Sequence, residues 1–422
     1  MKKKYIILSI VTLTLLVSFL GYSKYLKTTN IYKKENVNNS TKLTKGISMN
    51  LEQTAGAGDY KLVTQSEWPT SGYIFNNELS RCENGSTLSW DDTKKTVIMH
   101  GNVSDKCNVY FDKYMPPSNL ADACDSGNNI AICVTSFANE VGPSISNIYY
   151  HDSNLENGAG DNSYRYAGTN PNNYVCFGSD ATTCSNDNLY RIIGVFDGKV
   201  KLIKYDYATS ALLGTTGDYK SIAVPDTRYY KGSLTSIDEY YWNSATQTST
   251  WSESLLNKTN LNMNFINNIG PTWDSKIITT TWKVGGGTGQ NILSSVPKTA
   301  YQYEVGSSAS STTYDAKIGL MYVSDYYYGA SPSAWTLVGI DYIDAISLNW
   351  MHMGNDEWTI SSATSWDTAV YRVIYGGGVD LGQVFDDGAG DNHGGVRPVF
   401  FLNSSVTYVS GDGTASNPIR IS

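Results

Sequence analysis

The 422-residue chain contains few of the residues from which metal sites and nucleophilic centres are usually built. Its four histidines are scattered, and neither G-x-S-x-G nor H-E-x-x-H occurs. No C-x-x-C pair or Cys/His cluster has zinc spacing. The glycine-rich run 284–289 follows no clear strand and opens no helix, which argues against a phosphate-binding loop. The sequence therefore favours neither a zinc enzyme, a serine hydrolase nor a nucleotide-binding protein.

Basic residues are scarce after residue 46. Residues 1–46 hold nine lysines and one acid, whereas the remainder holds 22 basic and 38 acidic residues and has a net charge of −16. Nucleic acids and anionic membranes are bound by clustered lysine and arginine, so this composition argues against nucleic-acid binding.

Only one long apolar run occurs, at the N-terminus. Three lysines precede residues 5–22, which carry no charged side chain. As a helix this run would cover roughly 27 Å, close to the thickness of a bilayer's hydrocarbon core. Residues 1–22 are therefore predicted to be a signal anchor, with the N-terminus cytoplasmic and the C-terminal region outside the cell membrane. The alternative is a cleaved signal peptide, for which Gly21 and Ser23 offer the best small-residue site.

Residues 23–46 are polar and are expected to form a stalk. The six cysteines that follow form three sequential pairs, and disulfide bonds are the simplest interpretation of an even number of cysteines in an exported protein. Pairing of sequence neighbours is the most economical pattern, although the sequence allows others. The predicted disulfide cysteines are Cys82, Cys107, Cys124, Cys133, Cys176 and Cys184.

Short β-like runs separated by turn residues fill residues 47–114. This segment is predicted to be a small β-sandwich stapled by a Cys82–Cys107 disulfide. The following Met115-Pro-Pro-Ser118 breaks regular structure and predicts a domain boundary, with a larger domain over residues 118–422.

The larger segment contains one strong hairpin signal. Residues 189–196 and 199–204 read as strands, and Asp197-Gly198 between them suits a type I′ turn, in which both residues have positive φ. In the second strand lysines alternate with apolar residues, which predicts one buried face. Residues 251–265 show helical spacing of apolar residues.

Three segments of this region resemble a known family. They are Asn188–Val195, the Trp251–Ser254 helix that ends in Leu261-Asn262-x-x-Phe265, and Gly395-Val-Arg-Pro-Val399. Their order resembles the DUF6273-type domain of exported Firmicutes proteins, which looks related to C-type-lectin-like and formylglycine-generating-enzyme-like folds. The resemblance implies an α+β, mostly β fold, with a small N-terminal β-sandwich followed by a larger C-type-lectin-like domain, behind an N-terminal membrane helix. The late reactive cysteines of formylglycine-generating enzymes are absent, since the last cysteine is Cys184.

Oxygen ligands concentrate between residues 386 and 392. Calcium prefers such hard ligands, and a calcium site would use Asp386, Asp387, Asp391 and Asn392. The EF-hand spacing and the calcium-binding tripeptides of sugar-binding C-type lectins are absent, so a turn leading into the last strands is the alternative. The letters Gly-Ala-Gly-Asp-Asn at 388–392 also occur at 158–162.

Aromatic residues concentrate after residue 200, where eight of the ten tryptophans lie. Three consecutive tyrosines at 326–328 cannot all face inward in a strand, and exposed aromatic rings stack on sugars and peptides. The predicted ligand-binding residues are Tyr326, Tyr327, Tyr328, Trp335 and His393. Four other tryptophans are predicted to fill the core, namely Trp251, Trp350, Trp358 and Trp366.

These features lead to three functional hypotheses. The first is a membrane-anchored extracellular binding or adhesion protein of a Gram-positive-type bacterium, which recognises a glycan or peptide through an aromatic and acidic surface. The second is an exported enzyme of unknown reaction, which requires a buried carboxylate or histidine pair with perturbed pKa values in a cleft. The third is a structural component of the cell envelope.

Overall fold

The computed structural model of the protein describes residues 46–339, 347–386 and 392–422. The predicted signal anchor and all of the predicted stalk except Gly46 lie outside the described residues. Within those three ranges, no helix combines the length and apolar character needed to cross a bilayer. Chain contacts divide the protein into two compact units, with the division between Met115 and Pro116.

The described part of unit 1 is built from short strands. They are β1 (Ile47–Glu52), β2 (Tyr60–Val63), β3 (Tyr73–Phe75), β4 (Arg81–Cys82), β5 (Thr87–Asp91), β6 (Thr96–His100) and β7 (Cys107–Lys113). Strands β2, β1, β7 and β3 form a sheet in that order, and β4 also pairs with β7. Strands β1 and β7 are parallel, whereas β5 and β6 form a separate antiparallel hairpin.

The hairpin of unit 1 packs on the sheet around a small apolar core. Met49, Val109 and Phe111 supply sheet residues to this core, and Leu88 supplies a hairpin residue. The Trp90 and Phe111 rings meet edge to face, 5.0 Å apart. Two β layers with a shared core fit the predicted β-sandwich.

The described strands of unit 2 continue the numbering. They are β8 (Ile148–Tyr150), β9 (Tyr164–Tyr166), β10 (Tyr174–Cys176), β11 (Leu189–Phe196), β12 (Lys199–Lys204), β13 (Tyr219–Ala223), β14 (Ile237–Tyr240), β15 (Thr280–Lys283), β16 (Thr313–Ala316), β17 (Ile318–Gly319), β18 (Glu357–Ser362), β19 (Ala369–Val373), β20 (Val379–Gln383), β21 (Val399–Phe401), β22 (Tyr408–Ser410) and β23 (Arg420–Ile421). The main sheet has the order β17-β21-β12-β11-β9-β8, and β10 also pairs with β11. Smaller ladders join β13–β14, β15–β16, β18–β19–β20 and β22–β23.

Helices of unit 2 are mostly short. They span Leu120–Ala123, Ile130–Val141, Pro143–Ser146, Ser210–Leu213, Leu256–Phe265, Ile266–Ile269, Pro271–Asp274, Gly289–Ile292, Pro297–Glu304 and Val323–Gly329. Helix Leu256–Phe265 is of the wide π type. It begins five residues after the predicted start at Trp251, and Ser254 Oγ accepts a hydrogen bond from Asn257 N near its beginning. The structure is thus mostly β with some helices, which agrees with the α+β class predicted.

The predicted hairpin is confirmed as β11 and β12, paired from Tyr190–Lys204 to Phe196–Lys199. Asp197 and Gly198 have φ values of 47° and 71°, so both turn residues take the positive φ of a type I′ turn. The prediction of one solvent-facing side for β12 is wrong, because Lys201 and Lys204 are buried. Strand β12 is an inner strand between β11 and β21, and five of its six residues are buried, so both of its faces are covered.

All six cysteines form disulfides between sequence neighbours, as predicted: Cys82–Cys107, Cys124–Cys133 and Cys176–Cys184.

Trp251, Trp350 and Trp358 lie in the core as predicted. Trp366 does not, because it lies in a surface turn and its side chain is 46% exposed.

Candidate functional site

A cavity of about 290 Å³ opens on unit 2 beside the main sheet. Its rim carries the exposed residues Asp197 and Thr281, so the cavity is accessible from solvent. Half-buried rings line its walls, supplied by Phe196, Tyr301 and Phe401. We refer to this cavity as the cleft.

The floor of the cleft is charged. It is formed by Arg165 from β9, Lys201 from β12 and Asp325 from helix Val323–Gly329, and each of these residues is at most 3% exposed. Asp161, from the loop before β9, lies at its edge. Two strands of one sheet, the loop before β9 and the start of a helix thus bring two basic and two acidic groups together.

Lys201 and Asp325 form the deepest pair, with Lys201 Nζ 2.5 Å from Asp325 Oδ2. The ammonium nitrogen also lies 4.8–5.7 Å from the centroids of four aromatic rings, which belong to Tyr322, Phe196, Phe401 and Trp282. Burial lowers the pKa of the Lys201 amine, although Asp325 acts in the opposite direction. The lysine therefore lies in an aromatic cage closed by one carboxylate.

Asp325 is held in place from two other sides. Its Oδ2 accepts a hydrogen bond of 3.0 Å from the backbone N–H of Tyr322, at the start of its own helix. Its Oδ1 lies 3.6 Å from Nη1 of Arg165. The carboxylate is therefore shared between a helix start, a lysine and an arginine.

Arg165 connects the floor to the rim. Its Nη2 is 2.5 Å from Asp161 Oδ2, and its Nε donates to Ser163 Oγ at 2.8 Å. Burial acts to raise the pKa of Asp161, but the Arg165 charge and the hydrogen bonds from Ser163 outweigh it, and the pKa is lowered. The guanidinium also lies 4.6 Å from the centroid of the Phe196 ring. Asp161 is thus maintained as a carboxylate.

Glu304 lies behind the floor, at the end of helix Pro297–Glu304. Its carboxylate accepts hydrogen bonds from the backbone N–H groups of Val323 and Ser324, at 2.9 and 2.7 Å, and contacts the Ser361 hydroxyl. Burial raises the pKa of Glu304 against the effect of these hydrogen bonds. This residue fixes the start of the helix that carries Asp325.

The expected exposure of the tyrosine run is wrong. Tyr326, Tyr327 and Tyr328 are at most 1% exposed, and Trp335 is 1% exposed. The expectation assumed a strand, but residues 323–329 form a short helix surrounded by unit 2, and strand β17 already ends at Gly319.

Each of these four side chains satisfies its polar group inside the fold. The tyrosine hydroxyls donate to the carbonyl oxygens of Gly377, Ile292 and Asn157, and Trp335 Nε1 donates to that of Ala330. Because each buried donor has an acceptor, the burial is stable and these side chains present no binding surface.

The remaining predicted ligand-binding residue, His393, lies away from the cleft lining. Its Nδ1 is 2.8 Å from Glu239 Oε2. His393 therefore adds a contact between neighbouring segments of unit 2 and does not join the residues of the cleft.

The predicted calcium site is described only in part. Asp387 and Asp391 lie outside the described residues. Asp386 accepts hydrogen bonds from Lys220 Nζ and the Tyr241 hydroxyl, and Asn392 is buried. Within residues 46–339, 347–386 and 392–422, no group of three or more His, Cys, Asp or Glu side chains is arranged to hold a metal ion. Calcium at residues 386–392 stays a prediction.

A second buried charged pair supports the fold of unit 2. Arg397, from the Gly395–Val399 segment, donates through Nε to Glu357 Oε1 at 2.8 Å and through Nη2 to Met351 O at 2.6 Å. Both side chains are nearly inaccessible, and neither lines the cleft. The arginine of this segment thus ties the last strands to β18.

The sequence alone does not identify the cleft residues, although it contains two weak signals. The recurrence at 158–162 contains Asp161, and the alternation in β12 contains Lys201. Neither signal states that β12 is covered on both faces or that Asp325 begins a helix, and both facts depend on tertiary contacts.

Comparison with known proteins adds no assignment, since the chain matches no family model, no curated protein and no solved structure.

Proposed function

We propose that unit 2 is an extracellular binding module that holds a glycan or peptide ligand in the cleft. The observation that carries this proposal is the combination of half-buried rings and polar groups around one accessible cavity of about 290 Å³. Ring faces bind the apolar faces of sugars and peptide side chains, and nearby polar groups orient the ligand. The binding surface lies at the cleft, in place of the one expected at residues 326–328.

The cellular setting is part of the same proposal. The three disulfides fit an oxidising compartment outside the cytoplasm. Together with the apolar run at residues 5–22, they support a single-pass protein of a Gram-positive-type cell membrane that displays its C-terminal region for binding or adhesion. A C-type-lectin-like fold for unit 2 belongs to the proposal as well, on the strength of the resemblance of its three segments.

A ligand screen with two wall variants tests the binding role. The full-length protein, in detergent, is applied to immobilised glycans and to a peptide library. Tyr301→Ala and Phe196→Ala each remove one ring from the wall, and we expect each to weaken binding by about 5- to 30-fold, since one desolvated aromatic contact contributes on the order of 1–2 kcal/mol.

Trp366→Ala is the matched control, because it removes an exposed ring that does not line the cleft. Melting temperatures of all variants separate lost binding from lost folding. Equal binding by the wild type and by both folded wall variants would contradict the assignment of the cleft.

An exported enzyme is the second candidate, favoured by one observation. The lowered pKa of the buried Lys201 is typical of amines that act as nucleophiles or bases. Against it, the carboxylates of Asp161 and Asp325 are both paired with basic groups, which leaves neither poised as an acid–base partner. Recovery of a bound ligand, followed by mass spectrometry, separates the two: a binding module returns the ligand unchanged, and an enzyme returns a product.

A further inference from the structure

We propose that Lys201 and Asp325 condense to form an intramolecular amide bond, so that β12 is covalently linked to helix Val323–Gly329. This modification is independent of ligand binding and would lock the floor of the cleft.

The reacting atoms already lie together. Lys201 Nζ is 2.5 Å from Asp325 Oδ2, and the carbon to be attacked is bonded directly to that oxygen. Both side chains are buried in unit 2, with exposures of 3% for Lys201 and 2% for Asp325. The two residues are 124 positions apart, so the pairing depends on the fold. Such positioning replaces an encounter between two molecules by an intramolecular step and greatly raises the effective concentration of the amine.

Burial makes the neutral, nucleophilic amine easier to reach than it is for an exposed lysine. It lowers the pKa of Lys201, although Asp325 acts in the opposite direction and the four aromatic rings around Nζ attract the charged form. Arg165 lies 3.6 Å from the other carboxylate oxygen and can polarise the carboxyl group towards attack. The Glu304 carboxylate accepts hydrogen bonds from the backbone N–H groups of residues 323 and 324 and so keeps Asp325 in position.

The step balances without another reactant. The ammonium group carries three hydrogens and the amide keeps one. The bond between Nζ and Asp325 Cγ forms, the bond from Cγ to Oδ1 breaks, and Oδ1 leaves with the other two hydrogens as water, so that Oδ2 remains as the amide oxygen. No electrons are transferred, and no oxidant or reductant is required. The cleft offers the water a direct route to solvent.

The product suits the same surroundings. The remaining oxygen, as an amide carbonyl, accepts the hydrogen bond from Tyr322 N that the carboxylate accepts. Formation of the amide removes two buried charges and therefore also removes the free-energy cost of their desolvation. Arg165 retains its pairing with Asp161.

Peptide mapping of the full-length protein tests the proposal. We expect a tryptic product in which residues 200–204, uncut after Lys201, are joined to the peptide that contains Asp325, with a mass lower than the sum of the two by one water. Lys317 and Asp274 provide an internal control, because their side chains also lie 2.6 Å apart but are each 28% exposed and lack the aromatic cage. We expect this second pair to remain unlinked.

Two variants supply a second measurement. Lys201→Arg keeps a positive charge beside Asp325, and Lys201→Met removes it, and neither provides the primary amine. Processing of the N-terminus changes the intact masses of the wild type and the variants equally, so the differences between these masses are unaffected by it. After correction for the mass of the substituted side chain, we expect the wild type to be lighter than each variant by the mass of one water. A wild-type Lys201 that trypsin cleaves normally, with the Asp325 peptide at its unmodified mass, would overturn the proposal even if neither variant folds.

Discussion

At the scale of single residues, burial determines which protonation state a side chain prefers. His352 is inaccessible to solvent, and its Nε2 lies 2.9 Å from the carbonyl oxygen of Tyr375. Burial lowers the pKa of this histidine to about 4, and the contact with Tyr375 offsets only part of that effect. The neutral ring is therefore the form that the fold accommodates.

His352 should make unit 2 less stable in acid. The folded protein binds the proton more weakly than the unfolded chain, in which the pKa is about 6.5. The contribution of the neutral His352 ring to the free energy of unfolding is fully present above about pH 6.5. It is lost as the pH falls towards 4, and the total loss is about 3 kcal/mol. Urea unfolding between pH 4 and 7 measures it. His352→Gln should make this part of the pH dependence shallower than in the wild type. His100→Gln, at an exposed position of unit 1, is the control, and equal slopes for both variants would contradict the role of His352.

Arg397 illustrates the opposite situation, a charge that is buried with its partner. Arg397→Met leaves the Glu357 carboxylate at 2% exposure without its basic group, and an uncompensated buried charge costs about 3–5 kcal/mol. We expect that loss in the free energy of unfolding of unit 2, measured by chemical denaturation.

Two further variants calibrate the result for Arg397. The double variant Arg397→Met/Glu357→Leu removes both charges and should recover much of the loss. Arg228→Met removes an arginine whose ion pair with Asp226 is largely exposed, so little change is expected. A double variant as unstable as the single one would show that packing, rather than charge, dominates at this site.

At the scale of elements, the β11–β12 turn requires positive φ at Gly198, where φ is 71°. Gly198→Ala should destabilise unit 2 by about 1–2 kcal/mol, because a side chain disfavours this conformation. Gly289→Ala is the control: Gly289 begins a short helix without a positive φ and has room for a methyl group, so no loss is expected. Thermal melts of both variants test the difference, and equal melting temperatures would show that the turn tolerates a side chain.

The same hairpin shows how far sequence reasoning reaches. The turn was predictable because Asp-Gly and the alternation around it are local signals. The burial of Lys201 was not, since it depends on β21, which pairs with β12 from almost 200 residues further along the chain. The prediction that the tyrosines at 326–328 are exposed was wrong for a related reason. Asp325 and the contacts of Glu304 with residues 323 and 324 stabilise a helix start that the local composition does not indicate. The disulfides were accessible to prediction because the pairs are close in sequence.

At the scale of the whole molecule, the two units have cores of very different size. The described core of unit 1 centres on seven buried residues, whereas that of unit 2 extends through most of its length. The free energy gained by burying a small core exceeds the conformational-entropy cost of folding by only a little. Unit 1 should therefore depend strongly on its Cys82–Cys107 disulfide, which joins facing residues of β4 and β7.

Removal of this disulfide should destabilise unit 1 selectively. The bond closes a loop with a sequence separation of 25, and the chain-entropy argument gives about 3.5 kcal/mol for a loop of this length. We expect Cys82→Ala/Cys107→Ala to raise hydrogen exchange throughout residues 46–115 of the full-length protein. Peptides from residues 116–422 should exchange as in the wild type, because their core and their two disulfides are intact. Unchanged protection of β1 and β7 in this variant would mean that the small core, with its Trp90–Phe111 contact, is sufficient to hold the sheet together.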